Sequence, residues 1–271
     1  MIKTEQRNPE TMHIDKMSTI DMLKIINKEN MNTVKAVEAA IPQIEKAVDA
    51  ITEAFKKGGR LFYMGAGTSG RLGVADAAEC PPTFGVSPEM VKGIIAGGEA
   101  CLTRAAEGEE DNAEAGVNDL LSHNVTENDI IVGISASGGP AYVLAAMKKA
   151  KEIGCITVSI TSNPGSPMDS FADIPICADT GAEVVTGSTR MKAGTAQKLI
   201  LNMLSTCAMI KTGMVYENLM INLRPTNIKL TDRMVRIVIE LTGTDNETAK
   251  KLLDENNWNI REAVDSYKNI K

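Results

Sequence analysis

The chain has 271 residues, a formal charge of −6, 3 % aromatic residues and only two histidines, His13 and His123. That length can bury a substantial core and suits one large α/β domain with a small appendage. The acidic balance and scarce aromatics argue against a nucleic-acid partner, and two histidines leave little material for a histidine metal site or a Ser-His-Asp triad. The five cysteines (Cys80, Cys101, Cys155, Cys177, Cys207) are scattered and never form a C-x-x-C pair. A reducing compartment is expected, with neither a disulfide framework nor a thiolate cage. The first 19 residues are polar, and no stretch approaches the roughly 18 apolar residues of a membrane span, so the expectation is a cytoplasmic protein with no membrane partner.

Thr19 to Lys57 reads as helix, with Ser18 or Thr19 as the cap and Gly58-Gly59 as the stop. Short apolar runs follow at 60–64, 90–95, 129–134, 156–160 and 174–178, separated by helix-compatible stretches. Runs of this kind are strands buried on both faces, and their alternation with helices predicts a three-layer, doubly wound α/β fold with a five-stranded parallel sheet. An Ala/Leu/Met-rich helix is expected from about Ser188 to Lys211, apolar nearly all round and so buried in the domain or between subunits. From Thr231 onward the pattern changes to three short amphipathic helices. The expected division is 1–57, a helical segment packing on the core; 58–228, the α/β domain; and 229–271, a small three-helix module.

Gly65-Ala66-Gly67-Thr68-Ser69-Gly70-Arg71 follows the first strand and opens a helix. Its glycines admit an anion to the backbone, and the helix N-terminus attracts one. Taken alone the turn is also compatible with tight packing. A dinucleotide site asks for an acidic residue at the end of the second strand, where only Glu99 stands near, behind two glycines. Thr68 and Ser69 instead supply hydroxyls, and the third strand ends in a second hydroxyl loop, Ser135-Ala136-Ser137-Gly138-Gly139. Two such loops at the carboxyl ends of strands suit a monophosphate. Helix capping is the alternative reading of the serines.

Two carboxylates attract attention. The helix begun at the first loop should end at about Glu79, because Cys80-Pro81-Pro82 follows. A carboxylate at the negative end of the helix dipole favours its protonated form, which makes Glu79 a candidate general acid; an exposed helix-end glutamate is the alternative. Asp111 to Glu114 reads as a capping box, which would set Glu110 just before a helix N-terminus and favour its ionised form, as suits a base. Taken alone, the residues favour the plainer reading, an acidic solvated turn.

These blocks, together with Ala78-Glu79-Cys80-Pro81-Pro82-Thr83-Phe84-Gly85, Ile95-Ala96-Gly97-Gly98-Glu99 and the run from Gly181 through Arg190 to Thr195, closely resemble the N-acetylmuramic acid 6-phosphate etherase family. The similarity extends over nearly the whole chain. The resemblance implies the sugar isomerase (SIS) fold for 58–228, kinship with the glucokinase regulatory protein, and cleavage of the D-lactyl ether at C3 of the sugar phosphate. It implies no metal and no organic cofactor, a small-molecule sugar phosphate as ligand and a homodimer. It assigns the acid role to Glu79 and the C2 base to Glu110, places Thr68, Ser69, Ser135, Ser137 and Gly138 around the phosphate, and gives Glu107 a hydroxyl contact. Arg190 and Lys192 are either cationic partners of substrate or surface charges at a helix start, and Glu183 has the same two readings. Some relatives carry Arg-Thr-Pro after Ala-Ser-Gly, where this chain has Gly139-Pro140. The module at 229–271 resembles a ubiquitin-associated three-helix fold. A regulator without catalysis and an aldose–ketose isomerase are the competing functions; the two glutamates favour catalysis, and the Glu-Cys-Pro-Pro block is foreign to an isomerase.

Overall fold

A computed structural model describes residues 2–225 and 227–270, so Met1 and Lys271, the outermost residues of the first and last expected segments, lie outside the described residues. Strands β1 (Leu61–Gly65), β2 (Val91–Ile95), β3 (Ile130–Ile134), β4 (Ile156–Thr161) and β5 (Ile174–Cys177) form one sheet, parallel throughout, in the order β2-β1-β3-β4-β5. Every residue of β1 and β3 is buried, as expected of strands covered on both faces. The helices between and around them are α1 (Thr19–Lys56), α2 (Gly67–Phe84), α3 (Ala100–Thr103), α4 (Ala113–Ser122), α5 (Ala141–Ile153) and α6 (Lys192–Lys211). Phe62, Met64 and Ile131 pack with Tyr142, Val143 and Met147 of α5 on one face of the sheet. Tyr63 of β1 points the other way, where its Cβ lies so close to Gly73 of α2 that a side chain there would meet it at 2.8 Å.

Two compact units emerge, Met1–Ala78 with Glu89–Ala208, and Glu79–Pro88 with Met209–Lys271. The first holds the sheet. The second contains a two-stranded antiparallel ribbon, β6 (Val215–Tyr216) and β7 (Leu219–Met220), and helices α7 (Ile228–Thr242), α8 (Asn246–Glu255) and α9 (Ile260–Ile270). Met234, Val238, Leu253, Ile260 and Val264 form its own core, with Trp258 packed against it.

Three expectations need correction. Helix α2 does not stop at Glu79 but continues through Pro81 and Pro82 to Phe84. Two backbone bonds are forfeited there; burial of Cys80 and Phe84, four residues apart on one face, offsets them. Helix α4 is capped by Asn112 rather than Asp111, its side-chain oxygen accepting from the Ala115 N–H at 3.0 Å, while residues 109–111 form a 3-10 turn. Helix α6 begins at Lys192 rather than near Ser188; Ile200, Leu201, Leu204 and Ala208 are buried within the chain, one of the two places expected for them. Ile210 near the end of α6 is exposed, and a longer row of exposed apolar side chains lies on α1, at Ile20, Leu23, Met31, Val34 and Ile41.

Candidate active site

In an open sheet of order 2-1-3-4-5 the chain leaves β1 and β3 in opposite directions, and a crevice opens between their carboxyl ends. The two hydroxyl loops of the sequence are the exits of those two strands. A cavity of about 320 Å³ lies there, lined by Thr68, Ser69, Ser135, Ser137, Glu110 and Thr189 among others. Its floor is the N-terminal turn of α2, whose first N–H groups have no partner within the helix and are free for an anion.

The loop after β1 is shaped by contact between Gly65 and Gly70: a Cβ on Gly70 would meet the Gly65 carbonyl oxygen at 2.6 Å. That approach brings the α2 N-terminus onto the strand end. The Ser69 hydroxyl donates to Gln197 Oε1 at 3.0 Å, which fixes its orientation and leaves its oxygen free to accept. In the second loop, Ser135 Oγ accepts from the Gly138 N–H at 3.0 Å, and Ser137 Oγ accepts from the Gly139 N–H at 3.2 Å. Gly138 has φ of +71° and faces Ser166, whose side chain an added Cβ would meet at 2.5 Å. Gly138 therefore shapes the loop and is itself buried outside the cavity lining.

A second cavity, of about 270 Å³, is lined by Arg71, Cys101, Glu107, Glu109 and Glu110 together with small residues. It shares Ala66, Gly67 and Glu110 with the first. Glu110 thus stands where the hydroxyl-rich space meets the acidic one, and Glu107 belongs to the acidic side only.

Glu79 is exposed on α2, in the part of that helix that belongs to the second compact unit, and is not among the residues that line either cavity. Since α2 runs on to Phe84, this carboxylate does not stand at the helix end expected of it.

Lys192 is neither a ligand for substrate nor a surface charge. Its ammonium is buried and pairs with Glu29 of α1 at 2.7 Å. Glu183, fully buried, accepts from the N–H groups of Lys192 and Ala193 at 3.1 and 3.0 Å and so caps α6. Arg190 is exposed.

Sequence reasoning misses Glu5, Gly187 and Thr189, all of which line the first cavity. The hydroxyl-bearing Gly187-Ser188-Thr189 is a usable signal, of the same kind as the two loops. Glu5 has none: it reaches the cavity from a 3-10 turn (Lys3–Glu5) held by an Asn163 side chain that accepts from the Lys3 N–H at 2.7 Å.

Comparison with known proteins agrees with this architecture. Residues 43–151 match the glucokinase regulatory protein N-terminal SIS domain, 112–207 the SIS domain and 235–267 a UBA-like domain. Among solved structures, a putative phosphosugar isomerase from Bacteroides fragilis is similar with a TM-score of 0.53 at 25% identity, over 72% of this chain and 94% of that one. A phosphoheptose isomerase from Francisella tularensis gives 0.51 at 17%, over 71% and 98%. Similarity in sequence is far higher to proteins named N-acetylmuramic acid 6-phosphate etherase. That of Photobacterium profundum is 55% identical over 261 residues, 96% of this chain and 87% of the relative. That of Glaesserella parasuis is 57% identical over 250 residues, 92% and 82%. With identity this high across nearly the full length of both partners, the chain belongs to the N-acetylmuramic acid 6-phosphate etherase family.

Proposed function

We propose that the chain is a carbon–oxygen lyase that cleaves the D-lactyl ether at C3 of N-acetylmuramic acid 6-phosphate, giving N-acetylglucosamine 6-phosphate and D-lactate. The observation that carries the chemistry is the position of Glu110 on both cavities, between a phosphate cradle and a space of its own for the reacting end of the sugar. The phosphate at C6 occupies the first cavity, held by the hydroxyls of Thr68, Ser135 and Ser137 and by the N–H groups that open α2, that of Ser69 among them, with Gly138 setting the loop. C2 and C3 then lie toward the second cavity.

In the open-chain sugar the C1 aldehyde acidifies the C2 proton. Glu110 removes it, the C3–O bond breaks, and the ether oxygen leaves as the hydroxyl of D-lactate after taking a proton from an acid. Water adds at C3 of the unsaturated aldehyde, and C2 regains a proton. Glu107, on the acidic side of Glu110, contacts a sugar hydroxyl.

The acid role falls to Glu79, and its place on α2 bears on how. An exposed carboxylate that lines neither cavity of its own chain acts by entering the site of a second copy. The exposed apolar row on α1 supports such a homodimer, whereas most apolar side chains of α6, Ile200, Leu201, Leu204 and Ala208 among them, are buried inside the chain. Among the described residues no helix is long and apolar enough to cross a membrane, and cytoplasmic residence fits a substrate of this kind.

Incubating the purified chain with N-acetylmuramic acid 6-phosphate and assaying D-lactate is the test. Absence of lactate from folded protein would refute the etherase reading and reopen the regulator; interconversion of an aldose and a ketose phosphate would favour the isomerase.

A further inference from the structure

Two negative groups distinguish this substrate, the phosphate and the carboxylate of the lactyl arm. Cavity one meets the phosphate with hydroxyls and N–H groups; among its lining residues there is no lysine or arginine. In cavity two Arg71 is the single cation among the lining residues, and it stands among Glu107, Glu109 and Glu110. A lactyl carboxylate entering that acidic space unpaired would be repelled, so whatever admits it must be cationic.

Arg71 is built for that contact. Its Nε donates to the Leu102 carbonyl at 3.1 Å and its Nη2 to the Arg104 carbonyl at 3.0 Å, which clamps the guanidinium against the cavity wall. A guanidinium carries five N–H donors, and these bonds use two. The remaining donors suit a planar carboxylate in a bidentate fork. The covalent geometry of the substrate agrees: the lactyl carboxyl is two bonds beyond the ether oxygen on C3, and C3 is bonded to C2, whose proton goes to Glu110 in the same cavity.

We propose that Arg71 binds the lactyl carboxylate and makes the site select a lactyl ether over the same sugar phosphate lacking that arm. The inference rests on the etherase reading above. It adds a specificity residue to which the turn motif alone assigns no role.

The test compares ligands with and without the carboxylate. In Arg71→Gln, kcat/KM for N-acetylmuramic acid 6-phosphate should fall on the order of 10- to 100-fold, the loss of a charged hydrogen-bonded pair, while inhibition by N-acetylglucosamine 6-phosphate shifts less than about twofold. Arg71→Lys should recover part of the loss. Because Arg71 also holds the 102–104 backbone, a second measurement uses the wild-type chain alone: the substrate analogue with a lactamide in place of the carboxylate should be cleaved with a similar penalty, and Arg71→Gln should cleave it no worse than wild type does. Equal weakening of substrate and product analogue in the variant, or full activity of wild type on the lactamide, would overturn the proposal. Wild-type failure to release any lactate would instead refute the reaction, so the two failures are distinct.

Discussion

Glu29 and Lys192, 163 residues apart in sequence, form a buried ion pair at 2.7 Å that ties α1 to the start of α6. Asn8 adds a hydrogen bond to the same Glu29 oxygen at 2.8 Å, so the N-terminal segment is fastened to the same point. Truncating one partner leaves a buried charge uncompensated, so Lys192→Met should cost about 3–5 kcal/mol in denaturant unfolding, and Glu29→Leu combined with Lys192→Met should cost much less. Burial pushes the Glu29 carboxyl up, but the Lys192 ammonium and the Asn8 amide outweigh it, and its pKa lies below the ordinary value of 4.5. A depressed carboxylate stabilises the fold in full above its unfolded value and loses that contribution as pH falls through the folded one. Glu29→Gln should therefore flatten the acid side of the stability profile below pH 4.5; an unchanged acid limb would show that the pair contributes no such dependence.

Glu110→Gln should abolish both lactate release and exchange of the C2 proton with solvent, lowering turnover by roughly 10²- to 10⁴-fold, the usual contribution of a general base. Glu79→Ala should lose lactate release and keep the exchange. Deuterium incorporation from D₂O separates the two, and loss of exchange in the Glu79 variant would merge or reverse the assigned roles.

If Glu79 serves the site of a second copy, two inactive variants complement each other. Mixed subunits of Glu79→Ala and Glu110→Gln, refolded together, pair an intact Glu110 with an intact Glu79 at one site per mixed dimer. Random association should restore roughly a quarter of wild-type activity. No recovery from verified mixed dimers would place both groups in one chain.

Gly138→Ala tests the second loop. Its φ of +71° and the Ser166 side chain 2.5 Å from the added Cβ forbid the change without movement. A stability loss of about 1–3 kcal/mol is expected, with KM for the sugar phosphate rising more than kcat falls. Unaltered KM would separate the loop from the phosphate.

Much of this architecture is legible in the sequence, for identifiable reasons. The strands are short apolar runs buried on both faces, a pattern that needs no tertiary information, and β3, expected at 129–134, is Ile130–Ile134. The hydroxyl loops are legible because they directly follow such strands. The end of helix α2 is misread because the proline rule is local, while the burial of Phe84 that offsets it is a tertiary outcome that the local rule does not carry. Lys192 reads as a surface or ligand charge because nothing near it in sequence hints at Glu29. The β6 and β7 pair consists of two-residue strands, too short for any period to register.

The absence of lysine and arginine from the lining of the first cavity has a kinetic side for the phosphate proposed to sit there. Hydrogen-bond donors act only at contact range, whereas ammonium and guanidinium groups draw anions from a distance that salt shortens. In a chain of net charge −6, a phosphate ester is not pulled in from bulk solution. On that proposal it is retained once its shape and oxygens fit, so discrimination at this end falls on departure rather than arrival, and added salt has little purchase on it.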